Sequence, residues 1–427
     1  MVPLLKPKES YGESWLDTIR YIIDKGLLEG SKAYYLAFAA LLLLGAYGLY
    51  LWIFVQHAPI FLGADYGGMI TTALSDSVPW GLYVSFFVFW VGVAAAGIVF
   101  GIAAYAFGHP GFKKVAVLGE VQAVAAIVTV LLLIAADIGR PIRAMILMPQ
   151  LPNLRSMLDW DFVVLTGYLL LNAIGFLVTV HYYRQDKPLP RKFIVPFIII
   201  AAPFAIGIHT VTAFISQALT ARPYWLSPLL APRYVATAFA SGPAILLLAL
   251  VLAERYVKGF KVDEDVYRKT MLVITGALVV GLYFTLSELH EIYWYTTEPW
   301  KREQANVAFY GYYGMGYIAV MMWLWISLGV AAVILALIPS VRNSWQGRLL
   351  IALLTIIAVV NEKTMAVVIP AYIPDPLGRP IPYYPSPLEV GITLGMHGIG
   401  LLIYLVLARV AIDAIMTHYF RGSGAHH

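Results

Sequence analysis

The chain has 427 residues, of which 60% are hydrophobic and 12% are charged, with a mean hydropathy of +0.77. A soluble protein of this length needs more charge to cover its surface, so the composition predicts a polytopic membrane protein. The formal charge of +5 requires no nucleic-acid partner, because basic residues in membrane proteins mainly set topology. The absence of cysteine excludes disulfides, cysteine-ligated iron–sulfur clusters and c-type haem attachment in this chain.

The N-terminal segment 1–32 contains the amphipathic stretch SWLDTIRYIIDKGLL. Helical spacing places Trp15, Ile19 and Ile23 on one face, away from the charged residues, which predicts a short helix at the cytoplasmic membrane surface. At the other end, the tail 419–427 finishes in GSGAHH, which resembles a tag remnant and is excluded from functional reasoning.

Ten apolar runs between these two segments are each long enough to cross a bilayer as a helix. The runs are 33–56, 80–107, 114–137, 160–183, 192–219, 234–256, 269–297, 307–338, 346–370 and 387–417. They predict a single all-α transmembrane domain over residues 33–418.

Lysine and arginine predict which way the domain faces. They are concentrated in the N-terminal segment and in the loops after the second, fourth and sixth runs, so both termini should be cytoplasmic. The loops predicted outside are 57–79, 138–159, 220–233 and 371–386. Their Pro, Trp and Tyr content favours ordered loops that a partner protein could contact. Arg140, Arg143 and Arg155 lie on the outer side, against the charge rule.

Ionisable side chains inside the spans are costly and are therefore functional candidates. Those predicted in the outer half are His209, Glu288, His290, Glu291, Glu362, Lys363, Glu389 and His397; Glu120 and Asp413 lie in the inner half. Glu288, Glu291 and Tyr295 share a helical face by their spacing. Convergence from four runs at one depth favours a functional site.

Structural interpretations remain open for several of these residues. His209 could hydrogen-bond a neighbouring carbonyl, and Lys363 could snorkel outward or pair with Glu362. Asp137 could pair with Arg140 or Arg143 at the end of its helix. Glu120 could pair with a lysine near the cytoplasmic surface.

Several stretches resemble the NrfD/PsrC family, the membrane subunits of polysulfide reductase and related respiratory complexes. They are SDSVPWGLYVSFFVFWVGVAAAG (75–97), AADIGRPIRAM with SMLDWDFVVLTGYLLLN (135–172) and IGIHTVTAFISQALTARPYW (206–225). NEKTMAVVIPAYIPDPLG (361–378) and YYPSPLEVGITLG (384–395) resemble its ten-helix branch. DSVPWGLY and VLGEVQAVAA look closest to DsrP-type members associated with sulfur metabolism. The resemblance covers most of the chain between residues 60 and 405.

The resemblance implies two four-helix bundles with flanking helices, no haem, and a quinone site near the outer face. It also implies an extracytoplasmic iron–sulfur protein docked there and joined to a catalytic subunit, in a prokaryotic inner membrane. Part of the family has a histidine soon after PWG, where this chain has Ala94, Ala95 and Ala96. No role of that histidine transfers to this chain.

We therefore interpret the chain as a quinone-reactive membrane subunit of a modular respiratory oxidoreductase of the sulfur-compound, hydrogenase or molybdopterin type. It would exchange electrons between the iron–sulfur partner and a menaquinone or ubiquinone pool, with proton translocation as a further expectation. Quinone reduction consumes two electrons and two protons, so its site needs protonatable groups near the carbonyl oxygens. Chemistry on the terminal substrate would occur in a partner subunit.

The candidate residues fall into three groups. The quinone-binding candidates are Asp76, Trp80, Asp137, His209, Glu288 and Tyr295. The partner-docking candidates are Arg140, Arg143 and Arg222. The proton-path candidates are Glu120, Glu291, Glu362 and His397. No metal site is predicted.

Two other functions remain open. A haem b membrane anchor could use His209, His290 and His397, which lie at comparable depth, and a visible absorption spectrum would detect it. An ion-coupled secondary transporter could use the intramembrane acids. Substrate transport without a partner subunit would favour that function.

Overall fold

The protein is described by a computed structural model that covers residues 11–57, 71–150 and 153–420. Within these ranges, ten helices are long and apolar enough to cross a membrane, which confirms the predicted all-α polytopic fold. Parts of the N-terminal segment, of the loop 57–79 and of the tail lie outside the described residues.

The helices follow one another in the chain as α1 to α13. The ten candidate membrane spans are α2 (Lys32–Gln56), α3 (Leu82–Ala106), α4 (Val117–Asp137), α6 (Met157–Tyr183), α7 (Arg191–Gln217), α8 (Leu230–Tyr256), α9 (Glu264–Tyr295), α11 (Gly316–Leu337), α12 (Trp345–Tyr372) and α13 (Pro387–Phe420). Three shorter helices of more than two turns lie between or before them: α1 (Trp15–Ile23), α5 (Pro141–Gln150) and α10 (Pro299–Tyr310). Two single-turn helices, Pro110–Lys113 and Pro339–Arg342, lie in connections between spans.

Eight of the ten spans form two four-helix bundles, as the family resemblance implies. In the first bundle α3, α4, α6 and α7 pack in a closed ring, and in the second α8, α9, α11 and α12 do the same. Helix α8 also packs against α3 and α7 and so joins the bundles. The remaining spans, α2 and α13, pack against each other beside α4.

The centre of the molecule is formed by the helices that are most buried in protein. Between 67% and 72% of the apolar core of α3, α4, α8 and α12 is buried, compared with 11% for α2. A side chain on these four helices can therefore avoid lipid altogether. Because buried polar groups need protein or water partners, a polar site is most easily accommodated here.

Small residues set the contact between α2 and α13. A Cβ added at Gly48 would lie 2.4 Å from Cα of Gly395, so the two backbones touch. The sequence pairs Gly395 with Gly391 at the spacing that allows close helix approach, and the structure confirms this approach at Gly395.

The largest boundary difference concerns the predicted span 307–338. The structure instead has the separate outer helix α10, followed by a break and then α11. Gly311 and Tyr313 adopt the left-handed conformation, with φ of 70° and 58°, which ends α10. The residues around this break are mostly aromatic, so hydropathy does not distinguish them from the apolar span that follows.

The N-terminal helix lies at the same end of the molecule as the end of α13. The Tyr21 hydroxyl donates to Asp413 Oδ2 at 2.6 Å, and Arg409 Nε donates to the carbonyl of Lys25 at 2.6 Å. We call this the inner side and the opposite one, which carries α5 and α10, the outer side. The cytoplasmic assignment of the inner side remains a prediction from charge.

Candidate functional site

A set of polar side chains lies where α2, α3 and α4 end on the outer side. We call Gln56, His57, Tyr83 and Asp137 the outer cluster. The Tyr83 hydroxyl donates to Gln56 Oε1 at 2.7 Å, and Gln56 Nε2 donates to the carbonyl of Ala136 at 2.7 Å. Because this amide is engaged at both ends, it positions Tyr83 beside the end of α4.

Asp137 is the unsatisfied member of the outer cluster. Its Oδ1 is buried and has no hydrogen-bond partner in the described part of the chain. The carboxylate interacts electrostatically with Tyr83 and with Glu389. A buried carboxylate oxygen without a partner is costly, so it points to a ligand or to water at this place.

Three aromatic side chains pack against one another near the outer cluster. The Trp80 and Trp225 ring centroids are 5.5 Å apart, and the Tyr372 ring lies edge-on to both. The guanidinium of Arg222 lies 4.4 Å from the Tyr372 ring centroid. Arg222 is buried, and we therefore place it beneath the outer surface rather than on it.

A second group of polar residues lies deeper, where the bundles meet. We call His209, Arg233, Glu288, Glu362 and Lys363 the central charge cluster. Arg233 forms ion pairs with Glu288 and, through Nε at 3.0 Å, with Glu362. The Lys363 amine contacts His209 Nε2 and donates to the carbonyl of Tyr234 at 2.7 Å. Four different spans thus contribute to one connected network.

Two local features allow this packing. A Cβ at Gly92 would lie 2.7 Å from Lys363 Nζ and 3.2 Å from His209 Nε2, so only glycine leaves room for the cluster beside α3. On the other side, α12 is interrupted at Thr364, whose backbone is not helical. The interruption follows Lys363 directly and coincides with the cluster.

The predicted quinone-binding residues lie in three places. Asp137 and Trp80 lie near the outer ends of the first bundle, whereas His209 and Glu288 belong to the central charge cluster. Gly92 follows Tyr83 by nine residues, which separates the two levels by about 13 Å along α3. Asp76 and Tyr295 are exposed on the outer side.

The remaining candidates differ in their surroundings. Glu120 is buried, and its Oε2 accepts from the Thr179 hydroxyl at 3.4 Å. Glu291 pairs with Lys301 at 2.7 Å. His397 accepts from the Trp90 indole at Nε2 and lies 2.7 Å from the Thr393 carbonyl at Nδ1, so both ring nitrogens have partners. Arg140 and Arg143 are exposed.

Two structural interpretations of the sequence are wrong. Lys363 does not snorkel: it is 0% exposed and points into the cluster. Within the described ranges no ion pair joins Asp137 to Arg140 or Arg143. Both interpretations considered only neighbours in the chain. The residues of one helix do not show which side chains of other helices surround them.

Sequence reasoning missed several residues of both groups. Arg233 was assigned to an outer loop, but α8 begins at Leu230, so Arg233 is already inside the helix. Gln56, His57 and Tyr83 carry no pattern that distinguishes them from interfacial residues. The available signal was the position of Arg233 next to a long apolar run, where an arginine without an acidic partner is expensive.

The haem alternative can be examined from the histidines themselves. A ligating histidine must direct a free ring nitrogen at the iron. Nε2 of His209 faces Lys363, whereas its Nδ1 is buried and has no hydrogen-bond partner in the described part of the chain; both nitrogens of His397 are engaged. Among the described residues, no group of three or more His, Asp or Glu side chains could hold a metal ion.

Comparison with known proteins assigns the family. The family profile "Polysulphide reductase, NrfD" matches residues 71–373, which include both four-helix bundles. A putative membrane subunit of dimethyl sulfoxide reductase from Halobacterium salinarum is 28% identical, over 96% of this chain and 95% of its own length.

Two further relatives match about half of their own length. The Hdr-like menaquinol oxidoreductase integral membrane subunit of Archaeoglobus fulgidus is 25% identical over 50% of this chain and 52% of its own. A selenate reductase subunit of Mesobacillus selenatarsenatis is 24% identical over 42% and 50%. All three are named as subunits of oxidoreductases, and two are named as membrane subunits. On this match, the chain is a multi-pass membrane protein that belongs to the polysulphide reductase NrfD family.

Proposed function

We propose that the chain is the quinone-reactive membrane subunit of a multi-subunit respiratory oxidoreductase. It would exchange electrons between the membrane quinone pool and an iron–sulfur partner on the outer side, with the terminal substrate transformed in a catalytic subunit. The family assignment and the three relatives support a membrane subunit of such a complex. One relative is named for menaquinol, which supports a quinone as substrate.

We propose that the quinone head group binds at the outer cluster. The observation that carries this proposal is the buried Asp137 Oδ1, which has no hydrogen-bond partner in the described residues. A quinone carbonyl or quinol hydroxyl could pair with this carboxyl group. The apolar rings of Trp80, Trp225 and Tyr372 provide packing surfaces of the kind that a flat head group requires.

The residues present suit proton-coupled reduction. Each quinone carbonyl that becomes a hydroxyl takes one electron and one proton, and a carboxyl group can supply or accept that proton. The Asp137 carboxyl is suited to this role, while Gln56 holds the Tyr83 hydroxyl next to it. Electrons must come from outside the chain, because the sequence has no cysteine to ligate a cluster.

We further propose that Glu120 delivers protons from the inner side. It is the buried carboxyl of α4, and Asp137 ends the same helix 17 residues later, about 25 Å away along its axis. The Thr179 hydroxyl is its polar neighbour. Water and further polar groups would have to bridge the distance between the two carboxyls.

Asp137→Asn tests the head-group site. It keeps the size of the side chain and removes the titratable proton, so quinone-analogue affinity should fall at least tenfold, measured by fluorescence quenching on the purified protein. Glu120→Gln is the matched control: it should leave affinity unchanged and slow quinone-coupled turnover of the assembled complex. Unchanged affinity in Asp137→Asn would contradict the proposed site.

A further inference from the structure

A narrow cleft on the outer side leads towards the central charge cluster. It lies between α9, the start of α8 and the outer helix α10, and its lining includes Arg233, Thr285, Glu288, Leu289 and Lys301. Arg233 and Glu288 form its inner end. The lining of the cleft thus extends from the cluster to residues of the outer helix α10.

One side chain of α10, Lys301, lines the cleft at its outer end. The Lys301 amine forms an ion pair with Glu291 at 2.7 Å and donates to the carbonyl of Leu226 at 3.1 Å. Lys301 is buried, whereas the Glu291 side chain is 44% exposed. An ion pair near water contributes little stability, so this half-exposed pair can break at little cost. Movement of the Lys301 side chain would then open the cleft to solvent.

The inner end of the cleft contains polar atoms that lack partners. Glu288 is 8% exposed, and its Oε1 has no hydrogen-bond partner in the described part of the chain; the same holds for Glu362 Oε2. Buried carboxylate oxygens of this kind normally bind water. Since Glu288 lines the cleft, water entering from the outer side would reach it first.

The charges in the cluster balance only in certain protonation states. The titratable and charged groups that meet here are His209 from α7, Arg233 and Tyr234 from α8, Glu288 from α9, and Glu362 and Lys363 from α12. Helix α3 contributes Gly92 and no charge. With both basic side chains protonated, both carboxylates ionised and His209 neutral, the net charge of the cluster is zero.

The contact between Lys363 and His209 places two nitrogens where they can share one proton. An ammonium at Lys363 donates to an unprotonated His209 Nε2, and transfer breaks one N–H bond and forms another without changing the total charge. A hydronium ion in the cleft loses one O–H bond and becomes water, a carboxylate gains an O–H bond, and the total charge of the cluster rises by one. Release to water reverses that step.

We propose that the central charge cluster is a proton-binding site that exchanges with the outer aqueous phase through this cleft, with Lys301 closing its mouth. The site is separate from the outer cluster and concerns the second bundle. It therefore stands whether or not a quinone binds at Asp137.

Thiol labelling tests access to the cleft, because the natural absence of cysteine gives a clean background. Thr285→Cys places a thiol in the cleft, and Phe284→Cys places one at the same depth in the apolar groove between α7, α8 and α9. Silver ions added from the outer side should block the Thr285→Cys thiol at least ten times faster. The remaining thiols are counted with a fluorescent maleimide after denaturation.

Two further variants complete the labelling test. Lys301→Ala should accelerate blocking of the Thr285→Cys thiol by at least threefold, and Leu289→Cys repeats the measurement if Thr285→Cys does not accumulate. Equal rates for the cleft and groove thiols, or blocking only from the inner side, would overturn the proposal.

Infrared difference spectra across neutral pH test proton binding without quinone or partner. The wild-type protein should show a carboxyl signal that is lost in Glu362→Gln and altered in Lys363→Gln. A spectrum unchanged in both variants would refute a proton-binding cluster, even if Asp137→Asn behaves as a quinone-site variant should.

Discussion

At the scale of single residues, the central charge cluster depends on the absence of a side chain at Gly92 of α3. The Lys363 amine is the end of a flexible side chain, but it is fully buried and bound at both His209 and Tyr234. It cannot move without giving up these contacts. Gly92 is therefore a residue on which the geometry of the cluster depends.

Gly92→Ala should disturb the cluster by steric overlap. The new Cβ would lie 2.7 Å from Lys363 Nζ, so we expect the free energy of unfolding to fall by about 1–3 kcal/mol, as for other overpacked cores. The measurement is the thermal unfolding midpoint in detergent.

Gly207→Ala in α7 is the control, because its Cβ would meet nothing within 4 Å. Alanine favours helix over glycine, so this variant should be neutral or slightly stabilising. Equal losses in the two variants would show that Gly92 matters only as a helix residue and that no close contact with Lys363 exists.

Single residues also show how far the sequence predicts the site. Burial cost identifies His209, Glu288 and Glu362, because an ionisable group in a span needs a reason to be there. The sequence cannot show that Arg233 joins Glu288 to Glu362, since these residues are 55 and 129 positions apart from it. Which charges share a partner is decided by how the helices pack.

At the scale of elements, the outer side is held together by loops that bind one another. Gln304 of α10 accepts from the backbone N–H of Tyr224 at 3.0 Å and donates to the carbonyl of Ala371 at 2.8 Å. Hydropathy predicts the spans because each contains enough apolar residues. It does not predict α10, since the polar part of this helix is typical of a loop and its last residues, 307–310, continue into the next apolar run.

Asp375 holds another outer loop in place through hydrogen bonds and an ion pair, and the stability that these contacts contribute should depend on pH. The backbone N–H of Arg379, then its guanidinium and the Ser77 hydroxyl, lower the pKa of Asp375 from 3.8 to about 2. A lowered pKa stabilises the fold fully above pH 4, and the stabilisation is lost as the pH falls from about 4 to about 2.

Asp375→Asn should therefore lower the unfolding midpoint at neutral pH and flatten its fall between pH 4 and pH 2. The measurement is thermal unfolding at a series of pH values. Asp186→Asn is the control, because it removes an exposed carboxylate on the inner side, which pairs with His418. If Asp375→Asn keeps the acid dependence of the wild-type protein, other carboxylates determine it.

At the scale of the whole molecule, the two bundles carry different polar groups. The outer cluster lies at the end of the first bundle, beside α2, and the central charge cluster lies where α8 and α12 of the second bundle meet α3 and α7. The hydropathy along the chain predicts ten spans. Their division into two closed rings was implied only by the family resemblance, because nothing in the hydropathy of one span identifies its neighbours.

The outer surface beside the first bundle is where a partner protein should bind if the proposed function is correct. Arg140 and Arg143 are exposed at the start of α5, and Arg140 follows the last residue of α4 by three positions. Neither arginine forms an ion pair within the described ranges. Arg222 was predicted to join them, but it is buried against Tyr372. The docking surface that we propose therefore contains two of the three arginines.

Arg140→Ala and Arg143→Ala should each weaken binding of the outer-side partner while leaving the fold intact. An exposed charge without a partner contributes little to folding, so the unfolding midpoint should stay within the range of surface substitutions, about 0.5 kcal/mol. Association with an acidic partner should weaken severalfold, and the loss should shrink at high salt, where screening already reduces the attraction. Copurification of the complex at low and high ionic strength measures both effects.

Arg222→Ala should behave in the opposite way, with a lower unfolding midpoint, because it removes a buried guanidinium and its contact with Tyr372. Loss of Arg140→Ala or Arg143→Ala from the membrane, with partner binding unchanged in the protein that remains, would assign these residues to folding rather than docking.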